Sequence, residues 1–281
     1  MSKLLRANFA RLWKSQVFWV GFFAMAVFCI IQKIGIGLSQ DTTEVHYLEE
    51  AFWVQALVIG ITLSVFISLF VGDEYEYGTI RNKIISGHCR LDIYLANVLV
   101  CIAAGWIMCL GCMIVSLVTG IYFLGFFHSG FADIIAEGIC LLALSAAYTA
   151  IYFFFAILIS NRAITAVVCV LISYLLLFAG NAVAHRLDES EYFYSPDVTL
   201  GIGEVDDGSS SEWVQNPDYL EGAKRRIYEI AFEVNPGGQS LQLSGMLYER
   251  THYMEMFAAS AAWIVLSCGC GVALFKRKNV N

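Results

Sequence analysis

The sequence predicts an all-α polytopic membrane protein. Six transmembrane helices form one domain over residues 1–281, with an interfacial helix over 2–16, a short helical connector over 73–92 and a helical loop over 186–252. Three observations predict it. Hydrophobic residues make up 58% of the 281 positions and charged residues only 15%, against about 45–50% and about 25% in soluble domains. Six apolar runs each reach the ~20 residues that a bilayer core demands. The basic residues are concentrated in alternate connections, as the positive-inside rule requires of a multi-span chain.

The N-terminal segment Ser2 to Gln16 is amphipathic. On a helical wheel Leu5, Asn8, Phe9, Leu12, Trp13 and Gln16 share one side, and Lys3, Arg6, Arg11 and Lys14 the other. That suits a helix in the headgroup layer with its basic face toward anionic lipid. A cleaved signal peptide is the alternative, but the next apolar run has the length of a full span and no small-residue cleavage site follows it.

The spans are Val17 to Ile36, Phe52 to Val71, Ile93 to Leu124, Ile134 to Ile159, Ala163 to Ala184 and Met254 to Phe275. The third is over-long, so its start projects from the membrane as helix or it bends near Gly105 and Gly111. An even number of spans puts both termini on one side. Lys3, Arg6, Arg11, Lys14, Arg81, Lys83, Arg90, Arg162, Lys276, Arg277 and Lys278 fall on the N-terminal side, 11 of the 17 basic residues. Both termini and the 73–92 connector are therefore expected in the cytoplasm. The link Ser160–Asn161–Arg162 is so short that the fourth and fifth spans must form an antiparallel hairpin.

The connector between the second and third spans, GDEYEYGTIRNKIISGHCRLDIYLAN from Gly72 to Asn97, holds a short helix. Thr79 is the expected cap, Ile80, Ile84 and Ile85 make one apolar face, and Gly87 is the stop. Arg81, Asn82 and Lys83 then point elsewhere. So short a helix is marginal alone and needs something to dock against, lipid headgroups or a partner protein.

The order acidic–aromatic–Glu–x–Gly–Thr–Ile–Arg, closed by Gly–x–x–Arg, resembles the connector of ABC transporter permeases of the type-2 exporter class. Glu76, Gly78, Thr79, Ile80 and Arg81 match the motif core and Arg90 its closing arginine, while His88 and Cys89 stand where Pro, Ser or Thr is expected. The resemblance implies that this is a coupling helix, with Ile84 on its face, seated in a cleft of a separate ATP-binding subunit. It further implies two such ATPase copies, a homo- or heterodimer of permeases, ATP and magnesium handled by the partner, and export of a lipid-like, peptide or drug-like substrate. Tyr228 to Gln239, YEIAFEVNPGGQ, is similar to the external helix and turn of some bacterial members of that family, so a bacterial plasma membrane is the implied location.

Residues Arg186 to His252 form the longest loop, expected outside the cell. Its first half, with Pro196, Gly201, Gly203, Asp206, Asp207, Gly208 and Ser209 to Ser211, reads as mobile. In its second half Asn216 and Pro217 start a helix, Leu220, Ala223, Ile227, Ile230, Ala231 and Val234 form its apolar stripe, and Asn235 to Gly238 end it. The expected role of Leu220, Ile227, Ile230 and Val234 is to cap the outer ends of the spans as a gate, with lipid contact as the alternative.

Other chemistry is sparse. No G-x-x-x-x-G-K-[ST] occurs, so the chain is expected to bind no cofactor and to be no enzyme in itself. His46, His88, His128, His185 and His252 never stand at H-x-x-x-H spacing or beside a coherent carboxylate set, so no metal site is expected. The net charge of -7 suggests an acidic protein that avoids nucleic acid, and none is expected as a partner, but the sign is not uniform along the chain and its distribution is the more useful quantity. Nine cysteines, Cys109 and Cys112 included, read as small packing residues. Lys33, Glu137 and Glu255 lie near span ends, where snorkelling accounts for them. Tyr148, Tyr152 and Phe153 are the candidate lining of a substrate path, weighed against plain interhelical packing. Gly105, Cys109, Cys112 and Ser116 offer a close-packing face within the subunit or between two. Two other functional classes remain open, an intramembrane enzyme and a non-transporting scaffold or sensor.

Overall fold

A computed structural model describes residues 1–38, 48–128, 130–159, 161–195, 212–245 and 252–277. In chain order the elements are α1 Ser2–Lys14, α2 Gln16–Leu38, α3 Leu48–Phe52, α4 Gln55–Glu76, α5 Thr79–Ile85, α6 Arg90–Leu124, α7 Phe131–Leu158 and α8 Arg162–Leu187. Then come β1 Tyr192–Ser195, β2 Glu212–Gln215, α9 Gly222–Val234, α10 Pro236–Leu243 and α11 Tyr253–Arg277. Six of these, α2, α4, α6, α7, α8 and α11, are long and apolar enough to cross a membrane. The protein is thus a multi-pass, all-α membrane protein. A two-stranded antiparallel ladder interrupts the 186–252 loop, with Tyr192 opposite Gln215 and Ser195 opposite Glu212. The serine and glycine run of the loop's first half, Lys278 and His46 fall outside the described residues.

The core follows from which spans are covered by others. The apolar windows of α4 and α7 are 67% and 72% buried, those of α8 and α11 only 22%. α4 and α7 therefore form the centre, with α8 on α4, α11 on α7, and α2 against α6. The outer faces of the peripheral spans, Val20, Phe23, Val27 and Ile31 on α2 and Val167, Leu171, Leu175 and Phe178 on α8, are exposed apolar side chains. Such a girdle suits the hydrocarbon of a bilayer rather than water. α6 runs unbroken for 35 residues, about 52 Å at 1.5 Å per residue, so its length is absorbed by projection. Its face of Gly105, Cys109, Cys112 and Ser116 is buried within the subunit. There a Cβ at Gly105 would stand 3.3 Å from Leu63 of α4 and 3.6 Å from Thr149 of α7.

One end of the bundle is basic. The Arg90 guanidinium donates to the carbonyls of Phe275 and Lys276, both at 3.2 Å, which satisfies orphan acceptors at the C-terminus of α11. Arg162, at the tight α7–α8 link, pairs with Asp73 and Glu76, each at 2.9 Å. These contacts bring the α4–α5–α6 turn, the α7–α8 link and the end of α11 together.

The opposite end departs most from expectation. Asn216 does not start a helix. Its side chain accepts the Asp218 amide at 2.9 Å and donates to Glu189 at 2.8 Å, an Asx-turn tied to the end of α8. The helix begins later, after Glu221. Asn235 to Gly238 end α9, as expected, but they also begin a second helix, α10. The Asn235 side chain accepts the Gly237 amide at 3.0 Å with Pro236 in the first turn, an N-cap. It also donates to the Leu176 carbonyl at 2.9 Å. Leu176 lies eleven residues before the end of α8, about 16 Å along the axis. The pair α9–α10 is therefore a re-entrant hairpin that dips among the spans. Every residue of α10 is buried.

This entry reverses the stripe of α9. Leu220 is buried ahead of the helix, but Ile227, Ile230 and Val234 are 64%, 45% and 45% exposed, while Phe232 and Glu233 face inward. The stripe does not lie over the ends of the spans. It faces outward on a segment that descends beside α8 and α11, where the Trp263 indole donates to the Val234 carbonyl at 2.8 Å. Two ionisable groups also fail to snorkel. Lys33 is 1% exposed and its ammonium donates to the Ala51 carbonyl. Glu137 is 6% exposed and accepts from the Tyr253 hydroxyl at 3.1 Å.

Candidate functional site

The candidate site is built at the basic end around α5. Gly78 precedes the helix at φ +63, a left-handed backbone that reverses the chain out of α4. The helix has no side-chain cap. Thr79, the expected cap, instead turns its hydroxyl back to the Glu74 carbonyl at 3.1 Å and closes the end of α4. Gly87 stops the segment at φ +84, and its amide reaches the Ile84 carbonyl at 3.0 Å. Ile80 is buried and Ile84 half-buried, as the apolar face requires, but Ile85 is 72% exposed. Seven residues cover two turns, and Ile85, five positions after Ile80, has rotated off the buried face.

Lys83 was expected to point away and does not. It joins a buried polar cluster centred on Glu74, in the last turn of α4. The Glu74 side chain has no exposed surface. It accepts from Arg11 of α1, from Lys83 of α5 and from the Asn97 amide of α6. Asn8 of α1 donates to the Asn97 amide oxygen, and Lys83 also donates to the Asn8 oxygen at 3.1 Å. Arg11 completes the cluster by laying its guanidinium 3.9 Å from the Phe70 ring centroid, so it does not share the exposed face of Lys3, Arg6 and Lys14. A buried carboxylate with two cations and an amide donor has its charge more than offset and its lone pairs filled, and the partly exposed cations keep some hydration, which makes such burial tolerable. Four helices, α1, α4, α5 and α6, are thereby fastened at one atom group.

The opposite face of α5 is open. Tyr77 and Ile85 are 71% and 72% exposed, and Arg81 and Asn82 are exposed between them. Glu76 is half in water and committed to Arg162. Of the residues that carry the motif, then, Ile80 and Ile84 bury, Gly78 and Thr79 shape the turn, Glu76 and Arg90 bind other parts of this chain, and Arg81 remains free of such a contact among the described residues. The sequence reading missed Glu74, Arg11, Asn8 and Asn97. An acid in the final turn of a span was the available signal, since it is costly there without a partner.

The proposed path residues are packing residues in this conformation. Tyr148, Tyr152 and Phe153 are at most 1% exposed. The two tyrosine rings stack at 5.7 Å, the Tyr148 hydroxyl meets Ser240 of α10 at 3.0 Å, and that of Tyr152 meets Ser173 of α8. They wedge α10 against α7 and α8. An apolar groove of about 470 Å³ lies elsewhere, between α2 and α4, lined by Val17, Val20, Gly21, Ile61, Thr62 and Val65 among others.

A comparison of the chain with models of known protein families and with curated proteins finds no match.

Proposed function

We propose that the chain is the permease subunit of an ATP-driven exporter and that α5 is its coupling helix. The observation that carries this reading is the two-sidedness of α5. Its inner face is fastened to three other helices through Glu74, while Tyr77, Arg81 and Ile85 face solvent. A helix built so can transmit a push from outside to α1, α4 and α6 together. In this reading two ATPase subunits, holding ATP and magnesium, bind a dimer of permeases from the basic end. The clustering of basic residues there supports a cytoplasmic position for this end, and the resemblance at Tyr228 to Gln239 implies a bacterial plasma membrane. Coupling requires the docking contacts to differ between the ATPase states, since a contact equal in both shifts nothing. The apolar groove between α2 and α4 favours a lipid-like or other amphipathic cargo over a strongly polar one.

The test separates docking from folding. Tyr77→Ala, Arg81→Glu and Ile85→Asp are expected to leave the melting temperature in detergent within a degree or two, because none of these side chains is buried. Each should cut stimulation of a co-reconstituted ATPase about tenfold, the effect of losing about 1.4 kcal/mol of docking free energy. Gly78→Ala should act on both readouts, since a left-handed non-glycine residue costs roughly 1–2 kcal/mol. Unaltered stimulation in all three outer-face variants would refute the coupling role.

Orientation has its own measurement. Cys89 is exposed beside α5, so an impermeant thiol reagent should label it in inside-out vesicles and not in intact cells. Labelling from outside would reverse the proposed topology.

A further inference from the structure

The end opposite α5 carries a set of ligand atoms that the spacing of histidines does not reveal. Glu233 of α9, His252 at the entrance to α11 and Glu255 in its first turn each offer one atom, and these atoms lie within 4.8 Å of one another. His252 Nδ1 is already 3.1 Å from Glu233 Oε1. We propose that this triad is a divalent metal site of the zinc class, which clamps the re-entrant α9–α10 hairpin to the head of α11.

The chemistry of the donors points this way. Imidazole and carboxylate oxygens are ordinary zinc ligands at about 2.0–2.2 Å, which places ligand atoms roughly 3–3.5 Å apart. The His252–Glu233 separation meets that spacing as it stands, and the third ligand needs about an ångström of closure, within the reach of a Glu255 rotamer change. Two of the ligands are held by backbone. The His252 carbonyl accepts the amides of Glu255 and Met256 at 3.1 and 3.2 Å, so His252 caps α11 and the H-x-x-E pair shares one turn. The third stands on a fixed base, because Gln239 of α10 donates to the Glu233 carbonyl at 2.7 Å and to the Met256 carbonyl at 3.3 Å.

Charge balance supplies a second argument. Glu233 is 5% exposed, and a buried carboxylate beside a second one requires a bridging cation or a proton. Arg226 answers part of that demand by gripping both Glu255 oxygens at 3.1 and 3.2 Å. Its other nitrogen is shared with Glu229 at 3.4 Å, and Glu229 is held in turn by Arg225 at 3.4 Å. Arg226 therefore divides its charge between two carboxylates that it touches, Glu255 and Glu229, and acts on Glu233 only at longer range. A divalent ion at the triad would neutralise the buried carboxylate directly. It would also join segments that are distant in sequence, a contribution available only to the folded state.

The test uses the full chain in detergent on a Cys89→Ser background, which removes the exposed thiol next to His88 as a competing zinc ligand. Zinc chloride is titrated by calorimetry into chelator-treated protein, and melting is followed with and without zinc. One ion per chain and a zinc-dependent rise in melting temperature are expected. Glu233→Gln and His252→Gln should each weaken binding by at least about tenfold, the loss that even outer-shell changes cause at metal sites. Arg226→Gln should tighten it, because a competing cation leaves Glu255; nonspecific surface binding would not respond so. Absence of saturable zinc binding overturns the proposal, as does binding indifferent to both Glu233→Gln and His252→Gln. If melting depends on pH but not on zinc, a proton alone bridges the carboxylates and the metal site is refuted.

Discussion

Glu74→Ala is expected to destabilise the protein by about 3–5 kcal/mol, the loss usual when one partner is removed from a buried charge pair. The value should fall at the lower end of that range, since the side chains of Arg11 and Lys83 remain 33% and 18% exposed and recover some hydration. The measurement is thermal melting in detergent, with Asp73→Ala as the control. Asp73 is one residue away, but its pair with Arg162 is 40% to 45% exposed, where solvent and salt screen it and it adds little stability. A double-mutant cycle of Glu74→Gln with Lys83→Met should show coupling above about 0.5 kcal/mol, the threshold for residues in one network. Equal melting shifts for Glu74→Ala and Asp73→Ala would show that the cluster does not hold α5. The stability loss is predicted whatever partner α5 meets, whereas the Tyr77, Arg81 and Ile85 variants test the partner alone.

Gly237→Ala is the second large effect, at the other end of the bundle. A Cβ on Gly237 overlaps the Leu176 carbonyl and approaches the Leu177 amide nitrogen to 2.6 Å. Approached from the other helix, a Cβ on Gly180 would stand 2.6 Å from the Gly238 nitrogen and 2.8 Å from the Gly237 carbonyl carbon. Overpacking ordinarily costs about 1–3 kcal/mol. Here the obstacle is helix backbone, which cannot rotate aside, so either substitution is expected at or beyond the top of that range. It should release the re-entrant hairpin, seen as new protease cleavage between α8 and α11. Gly35→Ala is the matched control, because a Cβ there meets nothing within 4 Å. Resistance of Gly237→Ala to cleavage, with unchanged melting, would show that α10 does not need this close approach.

The hairpin also explains where sequence reading stopped. The break at Asn235 was legible, because Asn-Pro is a local signal. That it ends one helix was readable, but that it also begins another depends on what receives the buried backbone, and Leu176 of α8 is 59 residues away. The outward stripe of α9 misled for a different reason. In water an apolar stripe reports the direction of the core, but in a bilayer lipid tails are as apolar as protein, so Ile227 and Ile230 are equally satisfied facing out. The polar face carries the information instead, and it holds Glu233 toward His252 and Gln239.

The sequence by itself determined the six spans, the shared side of the two termini, the basic and opposite ends, and the Gly87 stop of α5. These depend on hydropathy, charge count and helical periodicity, each a sum over near neighbours. The tertiary structure alone decided that Glu74 joins Arg11 and Asn97, that Ile85 faces out while Lys83 faces in, and that His252 meets two carboxylates. Those pairings join residues 63 positions apart for Arg11 and Glu74 and 89 for Asn8 and Asn97. Their free energy depends on the burial that the assembled helices create, which a polar residue acquires only after the spans have packed.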